Sequence, residues 1–327
     1  MQLLPPLTTT TAAVGLAVGA AGALALLMLL RRRNRPPPAL NKPKTAAGHD
    51  GNLEEGGYFY KLEVKNRFEN ERAFLEKMRS TSDPLARCAP EYHGVEEREG
   101  KRYLKMSSLT SSFDTASLCI MDVKMGVRCF AESELDSTKP RPDLFQKLLK
   151  LGPPLTSQIV TAAEQDAKEI TKARWMLIRD ATSSTHELGF RVDGVETPTC
   201  KRKPSGDLAT CRQDAQVIDA LCSFLPKENA RKVAEQILIR LDEIDACMRR
   251  SEVFPSHEVI GSSLLFAADA KGHVGVTMLD FGLTCPADVP GGRLRHDVPW
   301  TRGNHEDGYL IGMANLRRLW RRMLDGL

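Results

Sequence analysis

The sequence lacks most of the features that mark a disulfide-linked, metal-binding or nucleic-acid-binding protein. Its eight cysteines are scattered and none forms a Cys-x-x-Cys pair, which argues against a disulfide framework or a zinc site and fits a reducing compartment. Because 46 lysines and arginines nearly balance 42 aspartates and glutamates, the net charge is only +4, which argues against general nucleic-acid binding. No internal repeat is visible. The 327 residues, of which 42% are hydrophobic, suffice for one large or two modest globular domains.

An uncharged apolar run, residues 12–30, lies near the N-terminus and is followed at once by four arginines within residues 31–35. At about 1.5 Å per residue the run would just span a hydrocarbon layer of about 30 Å. The arginines favour a cytosolic side for the rest of the chain. A cleaved secretory signal is the alternative, but residues 1–11 contain no basic residue. We therefore expect a single-pass membrane protein, with a transmembrane anchor in residues 1–35 and a proline-rich linker in residues 36–45.

The stretch Leu118–Gly126 carries an acid and a base at the end of a predicted apolar strand. Because residues i and i+2 of a strand share a face, Asp122 and Lys124 point in the same direction. A carboxylate beside an ammonium suits a hydroxyl that must lose a proton while a phosphate is held nearby. An exposed, salt-bridged strand end is the simpler alternative for these residues alone.

A second short apolar strand, Gly275–Leu279, runs into an Asp-Phe-Gly tripeptide at residues 280–282. A carboxylate in this setting commonly holds Mg²⁺ against a nucleoside triphosphate. Protein kinases carry the same tripeptide, but they need a His-Arg-Asp catalytic loop with an Asn shortly before it. The nearest candidate, at residues 178–180, lies far upstream and has Thr185 in place of the Asn. The sequence therefore argues against an ordinary protein kinase.

Several blocks of sequence together resemble the inositol polyphosphate kinases. Asp122-Val-Lys124-Met-Gly126 resembles the Asp-x-Lys-x-Gly signature of that family. Further blocks follow in the family's order: Thr171–Arg179, Ser183–Thr185, Leu188–Arg191, Gly261–Phe266, Asp280–Gly282, His296–Trp300 and Gly303–Leu310. The last two favour the inositol 1,4,5-trisphosphate 3-kinase branch over the multikinase and hexakisphosphate-kinase branches. The resemblance covers residues 46–320.

The resemblance implies an α+β, two-lobed kinase-like fold of the ATP-grasp or protein-kinase type, with one N-terminal transmembrane helix added. A small nucleotide-binding lobe is expected at residues 46–112, and a large catalytic lobe at 113–327 with a helical inositol phosphate-binding insertion at 131–180. Patterning predicts strands at 58–64, 89–95, 103–106 and 190–195, helices at 68–80, 144–151, 161–179 and 226–251, and a polar loop at 197–213. The basic stretch 316–323 predicts a closing surface helix and would also suit calmodulin, and the sequence does not decide between the two.

The resemblance also implies chemical roles by position. Asp122 would orient or deprotonate the acceptor hydroxyl, Lys124 would steady the substrate and the migrating phosphoryl group, and Asp280 would carry Mg²⁺. Lys172 and Arg179 are seven residues apart and so return to one helix face. With Lys124 they would form a three-point clamp for the acceptor's phosphates, although solvated basic residues are the simpler explanation for a helix taken alone.

The nucleotide site is expected between the lobes. Lys61, in the strand after the glycine turn, would grip the phosphates of ATP, with Lys65 as the rival. Met106 and Ser108 lie in the predicted hinge and would contact the nucleotide. Ser263 would add a metal or phosphate contact, although simple turn chemistry explains this serine equally well.

Three positions depart from the family pattern. Leu283 stands where the branch usually has lysine, and the hinge lacks the usual acidic pair, which would weaken a ribose contact by Ser108. Glu196 stands where a substrate-binding lysine is common, and a charge reversal beside a phosphate is costly.

The resemblance as a whole leads us to expect an ATP- and Mg²⁺-dependent kinase that acts on the 3-hydroxyl of inositol 1,4,5-trisphosphate near a membrane. The alternatives are a broader inositol polyphosphate kinase and an inert inositol phosphate-binding scaffold. No nucleic-acid partner is expected.

Overall fold

The computed structural model describes residues 51–203 and 206–327, which form two main antiparallel sheets and the helices around them. In chain order the strands are β1 (Leu53–Glu55), β2 (Tyr58–Leu62), β3 (Tyr92–Arg98), β4 (Lys101–Ser107), β5 (Cys119–Met125), β6 (Pro140–Arg141), β7 (Ile170–Thr171), β8 (Phe190–Glu196), β9 (Lys201–Arg202), β10 (His257–Glu258), β11 (Ser263–Ala268), β12 (Val274–Leu279) and β13 (Cys285–Pro286). The helices are α1 (Lys65–Ser80), α2 (Pro142–Leu149), α3 (Pro153–Ile159), α4 (Ala162–Ala167), α5 (Lys172–Thr182), α6 (Thr185–Leu188), α7 (Asp214–Phe224), α8 (Ala230–Arg250) and α9 (Tyr309–Asp325).

The small lobe is a four-stranded sheet in the order β1-β2-β4-β3, covered on one face by α1. Helical spacing of apolar residues explains this packing, because Phe68, Leu75 and Met78 return to one side of α1 and are buried there. The predicted strands and helix of this lobe are confirmed, and the helix begins three residues earlier than expected, at Lys65. The sequence pattern missed β1, which is only three residues long.

The large lobe is built on a five-stranded sheet in the order β12-β11-β5-β8-β9. β5 lies in the middle, which explains its nearly continuous apolar sequence. Ser263, the first residue of β11, lies opposite both Lys124 of β5 and Leu279 of β12. The residue that follows Leu279 is Asp280, so the register brings Asp280 next to Lys124.

Three helices build the core behind this sheet. The predicted long helix is confirmed as α8, whose stripe of Val233, Ile237, Leu241 and Ile244 is fully buried. The predicted closing helix is α9, but it is not purely a surface helix. Its Trp320 is fully buried and donates a hydrogen bond to the carbonyl of Ala234 in α8, so the side chain that would anchor a calmodulin complex belongs to the core.

The helical insertion contains a short helix that was not predicted, α3, and its second predicted helix is broken. The predicted helix at 161–179 is interrupted after α4, because Lys168 has a left-handed backbone with φ of 54°. The chain then pairs β7 with β6, and the side chain of Thr171 accepts a hydrogen bond from the backbone N–H of Arg174 to begin α5. Lys172 is therefore at the first turn of a helix and not in the middle of one.

The membrane expectation is corrected. The apolar run at residues 12–30 lies outside the described residues, and none of the helices in residues 51–203 and 206–327 has the length and apolar character needed to cross a bilayer. The longest of them, α8, has a charged face opposite its buried stripe. The fold class is accordingly an α+β, two-lobed kinase-like fold, and neither a transmembrane helix nor a single-pass membrane localisation is retained.

Candidate active site

Lys124 lies between two carboxylates that come from distant parts of the chain. Its Nζ is 2.9 Å from Oδ2 of Asp280 and 4.0 Å from Oδ2 of Asp122. All three side chains are at the end of the large sheet where β5 and β12 finish. The structure thus brings together the acid, the base and the second acid that the sequence singled out, although 156 residues separate Lys124 from Asp280.

Asp280 is also held from the side of the small lobe. Its backbone is left-handed, with φ of 67°, and its Oδ1 accepts a hydrogen bond of 2.7 Å from Nζ of Lys61. The same ammonium donates to Glu71 of α1 at 2.8 Å. Sequence reasoning missed Glu71. This residue is buried on the apolar face of α1, so a search for an acidic residue among the apolar positions of that helix would have found it.

The pKa values of these groups separate in a way that suits acid–base chemistry. Burial raises the pKa of Asp122 to about 6; Lys124 opposes this shift, whereas the nearby charges of Asp193 and Asp280 reinforce it. Burial acts in the same direction on Asp280, but Lys124 and Lys61 outweigh it and hold the pKa of Asp280 well below its usual range. Asp122 can therefore take up a proton near neutral pH, while Asp280 remains ionised.

Two oxygen atoms beside Lys124 have no hydrogen-bond partner within the part of the chain that the structure describes. They are Oδ1 of Asp122 and Oγ of Ser263, and both are buried. Ser263 lies opposite Leu279 on β12 and so next to Asp280. Unsatisfied buried oxygens are costly unless something occupies the space they face. Carboxylate and hydroxyl oxygens are the ligands that Mg²⁺ prefers, so Asp280 and Ser263 fit a divalent metal.

Arg179 and Lys172, expected to act together, have different partners. A terminal nitrogen of Arg179 contacts Sγ of Cys129, and its Nε is buried without a hydrogen-bond partner among the described residues. Burial raises the pKa of Asp193, but the charges of Arg191, Lys124 and Arg179 outweigh burial and lower it. Arg191 has the largest effect of the three and Arg179 the smallest. Lys172 instead forms an ion pair with Glu134. The contacts therefore connect Arg179 to the acid–base cluster, and they pair Lys172 with a residue outside it.

The hinge residues are placed by the edge of the small-lobe sheet. Met106 is buried in the core of that lobe, opposite Phe59 of β2 and Tyr92 of β3. The backbone N–H of Ser108 donates to the carbonyl of Gly57 at 2.8 Å, and its hydroxyl donates to Glu54 of β1. Glu54 was missed because it lies in the short strand that the pattern did not reveal, and it supplies an acidic group beside a hinge that has none of its own.

Comparisons with known proteins agree with this geometry. The sequence model of the family described as inositol polyphosphate kinase matches residues 103–321. Inositol-trisphosphate 3-kinase A of Homo sapiens is 38% identical over 277 residues, which are 83% of this chain and 56% of that protein. The inositol-trisphosphate 3-kinase homolog of Caenorhabditis elegans is 33% identical over 284 residues, 86% of this chain and 55% of that protein. The chain thus spans about half the length of these relatives.

Solved structures with the same fold include a yeast kinase. The inositol phosphate multikinase of S. cerevisiae, crystallised in complex with ADP and Mn²⁺, matches with a TM-score of 0.50 at 18% sequence identity. The match covers 82% of this chain and 100% of that chain. The mixed α/β kinase-like fold is therefore shared with this multikinase.

Proposed function

Because the chain belongs to the inositol polyphosphate kinase family, we propose that it is an ATP- and Mg²⁺-dependent kinase whose acceptor is inositol 1,4,5-trisphosphate. The product would be inositol 1,3,4,5-tetrakisphosphate, formed at the 3-hydroxyl. The 38% identity to inositol-trisphosphate 3-kinase A supports this acceptor. The observation that carries the proposal is the position of Lys124 between Asp122 and Asp280, since one ammonium then serves both an acceptor site and a donor site.

On the acceptor side, Asp122 would accept the proton of the attacking hydroxyl. Its pKa of about 6 leaves it mostly ionised at pH 7.5 and yet basic enough to take a proton as the hydroxyl attacks. Its unpartnered Oδ1 is the atom available for this hydrogen bond. Lys124, whose charge is stabilised by the surrounding carboxylates, would steady the phosphoryl group that moves past it.

On the donor side, Asp280 and Ser263 would hold Mg²⁺ against the triphosphate. When bound, the metal would offset the negative charge of the phosphates during transfer. Lys61 would contact the phosphates from the small lobe, and Glu71 would hold the ammonium of Lys61 in place. Met106 and Ser108 would border the base and ribose of ATP. We propose residues 46–112 and 113–327 as the limits of the two lobes that form this cleft.

The acceptor's phosphates would be bound by Arg179 together with Lys124. The Nε of Arg179 lies 4.0 Å from Asp180 and makes no hydrogen bond among the described residues, and a terminal nitrogen contacts the sulfur of Cys129, so the guanidinium has N–H groups that a phosphate could bind more strongly than these partners do. Lys172 is proposed as a further contact from the insertion at 131–180, and it would have to exchange Glu134 for a phosphate. The clamp would thus be partly formed before the acceptor binds.

The test is an assay of the 327-residue protein with ATP, Mg²⁺ and a panel of inositol phosphates. Phosphorylation of inositol 1,4,5-trisphosphate at the 3-position, with a higher kcat/KM than for any other acceptor, is expected. Absence of product with every acceptor, under conditions where a human 3-kinase is active, would refute the kinase assignment. Binding of inositol phosphates without turnover would instead indicate an inert scaffold.

A broader inositol polyphosphate kinase is the second candidate, and Glu196 favours it. A carboxylate at this position repels a phosphate on the acceptor, so an acceptor with a different phosphate pattern could be preferred. The same panel separates the two candidates, because the second predicts comparable kcat/KM values for several acceptors.

A further inference from the structure

Glu196 does not stand alone at the edge of the large sheet. It lies opposite Lys201 in the pairing of β8 with β9, and Nζ of Lys201 is 2.6 Å from its Oε2. In the pairing of β8 with β5, Glu196 also lies opposite Ile120, two residues before Asp122. Residues that are directly opposite, or two apart along a strand, project from the same face of a sheet. Lys201 therefore projects from the face that carries Asp122.

The spacing of the sheet places Lys201 within range of a bound acceptor. Two residues along a strand cover about 6.7 Å and two strand separations about 9.6 Å, so the backbones of Lys201 and Asp122 are about 12 Å apart. A lysine side chain reaches about 6 Å from its backbone. The remaining gap is comparable to the separation between a ring hydroxyl and a phosphate two carbons away. In inositol 1,4,5-trisphosphate the phosphates on C1 and C5 stand in that relation to the 3-hydroxyl, so one of them would meet the ammonium of Lys201 when that hydroxyl lies at Asp122.

The contacts of Lys201 leave it free to bind an anion. Its side chain is 53% exposed, and an ammonium that gives one N–H to Glu196 keeps two others. The next residue, Arg202, projects from the opposite face and is occupied by Asp207 and Asp219. Lys201 is thus the cation of β9 that both faces the acceptor and retains free donors.

We propose that Lys201 binds a phosphate of the acceptor and that Glu196 positions its ammonium. Residue 196 has the wrong charge to bind a phosphate itself, so the neighbouring strand supplies the cation. Glu196 then orients Lys201 at the cost of some repulsion toward the acceptor. This inference rests on the proposed function, because it names a residue that recognises the acceptor of that reaction.

The first test compares Lys201 with an exposed lysine on the other side of the same sheet. Lys201→Ala is expected to raise the KM for the preferred inositol phosphate about 10-fold to 50-fold, with kcat and the KM for ATP within twofold of wild type, because the contact is present equally in ground and transition states. Lys271→Ala is the control, since Lys271 is exposed in the turn between β11 and β12, on the other side of the sheet from β9, and it should leave all three values unchanged. A KM for Lys201→Ala within twofold of wild type overturns the proposal.

Two further variants separate phosphate binding from a purely structural ion pair. Glu196→Gln should lower the KM for the acceptor about threefold, because the amide still orients Lys201 while the repelling charge is removed. The double variant with Lys201→Ala and Glu196→Lys should return the KM to within about threefold of wild type, since the cation is moved to the adjacent strand on the same face. A structural ion pair predicts that Glu196→Gln behaves like Lys201→Ala and that the double variant gives no rescue.

Failure of the inference and failure of the proposed function can be told apart. Wild-type turnover of inositol 1,4,5-trisphosphate together with an unaffected Lys201→Ala variant overturns the inference alone. If the wild type gives no turnover, the proposed function fails, and equilibrium binding of radiolabelled inositol 1,4,5-trisphosphate to wild type and Lys201→Ala still decides the role of Lys201. Equal binding by the two proteins, or none by either, counts against it.

Discussion

Lys61 and Glu71 form an ion pair of 2.8 Å that joins β2 to α1, and the carboxylate of Glu71 is buried. The same lysine reaches Asp280 in the loop after β12. The position of α1 and the position of the proposed metal ligand are therefore linked through one ammonium. This link makes the alignment of the two lobes depend on a residue that never touches the acceptor.

Glu71→Gln should lower kcat/KM for ATP by about 10-fold to 100-fold, because Lys61 would pair with Asp280 alone and occupy the ligand that Mg²⁺ needs. Steady-state kinetics with varied ATP at saturating acceptor measure this effect. Glu76→Gln is the control, since Glu76 is an exposed acidic residue of the same helix that pairs with Arg72. An equal loss in both variants would show that α1 itself, and not the Lys61 contact, is affected.

Asp122→Asn should lower kcat by about 10²-fold to 10⁴-fold without lowering the melting temperature. The pKa of Asp122 in the folded protein is about 6, above its usual value of 3.8, so its contribution to stability is full below pH 3.8 and is lost as pH rises through 6. At pH 7.5 the ionised carboxylate therefore destabilises the fold, and the amide removes that cost.

Asp193→Asn provides the opposite control for the thermal measurement. Arg191, Lys124 and Arg179 overcome the effect of burial and lower the pKa of Asp193, so its charge stabilises the fold at neutral pH. Scanning calorimetry at pH 7.5 should give a lower melting temperature for Asp193→Asn and an unchanged or higher one for Asp122→Asn. A lower melting temperature for both would contradict the separation of their pKa values.

The activity should fall at acidic pH with the titration of Asp122. Since the base must be ionised, kcat/KM for the acceptor is expected to decrease about tenfold per pH unit below an apparent pKa of about 6. Rates measured between pH 5 and pH 8 at constant ionic strength, with Mg²⁺·ATP saturating, give the profile. A profile that stays flat down to pH 5 would mean that Asp122 is not the base.

His296 and Asp307 predict a separate pH dependence of stability. Their side chains are buried and joined by a hydrogen bond of 2.8 Å. Burial opposes the charged imidazole, but Asp307 and Glu306 outweigh it and raise the pKa of His296 above 6.5. Burial likewise opposes the ionised Asp307, whose pKa His296 nevertheless holds below 3.8. Both partners are thus charged between about pH 4 and pH 6.5.

His296→Ala should lower the free energy of unfolding by about 3–5 kcal/mol at pH 6, because it leaves Asp307 buried without its partner. The contribution of His296 is complete below pH 6.5 and is lost as pH rises through its folded pKa, so the deficit should shrink at pH 9. Urea denaturation at the two pH values measures it, and His186→Ala, at an exposed histidine, is the control. A deficit that is independent of pH would contradict a charged pair.

The local parts of the site could be predicted from the sequence, and the contacts between distant elements could not. The apolar runs before Asp122 and Asp280 identify β5 and β12, because strand ends that carry an acid leave a clear pattern. The break at Lys168 left no signal, since lysine seldom adopts a left-handed backbone. Glu71 could be recognised only as an acid on the apolar face of α1, and its pairing with Lys61 could not be predicted because that lysine reaches it from another element.

The membrane expectation shows a related limit. Composition alone suggested a helix at residues 12–30, and the described part of the chain contains no helix that could cross a bilayer. The hydropathy of residues 12–30 supports a prediction about that segment only. The proposed recognition of the acceptor is a further case, because it assigns Glu196 a role through Lys201, which the sequence places in a loop and the structure places on the adjacent strand.

The most direct test of the central claim, that acceptor and metal-bound triphosphate meet at Lys124, compares Asp122→Asn with Asp280→Asn in binding and turnover. Asparagine keeps the shape of each side chain and tolerates the left-handed backbone of residue 280. Calorimetric titration should show that Asp122→Asn binds Mg²⁺·ATP like wild type, that Asp280→Asn loses at least about tenfold in that affinity, and that neither phosphorylates inositol 1,4,5-trisphosphate. Near-normal turnover by either variant would contradict the account.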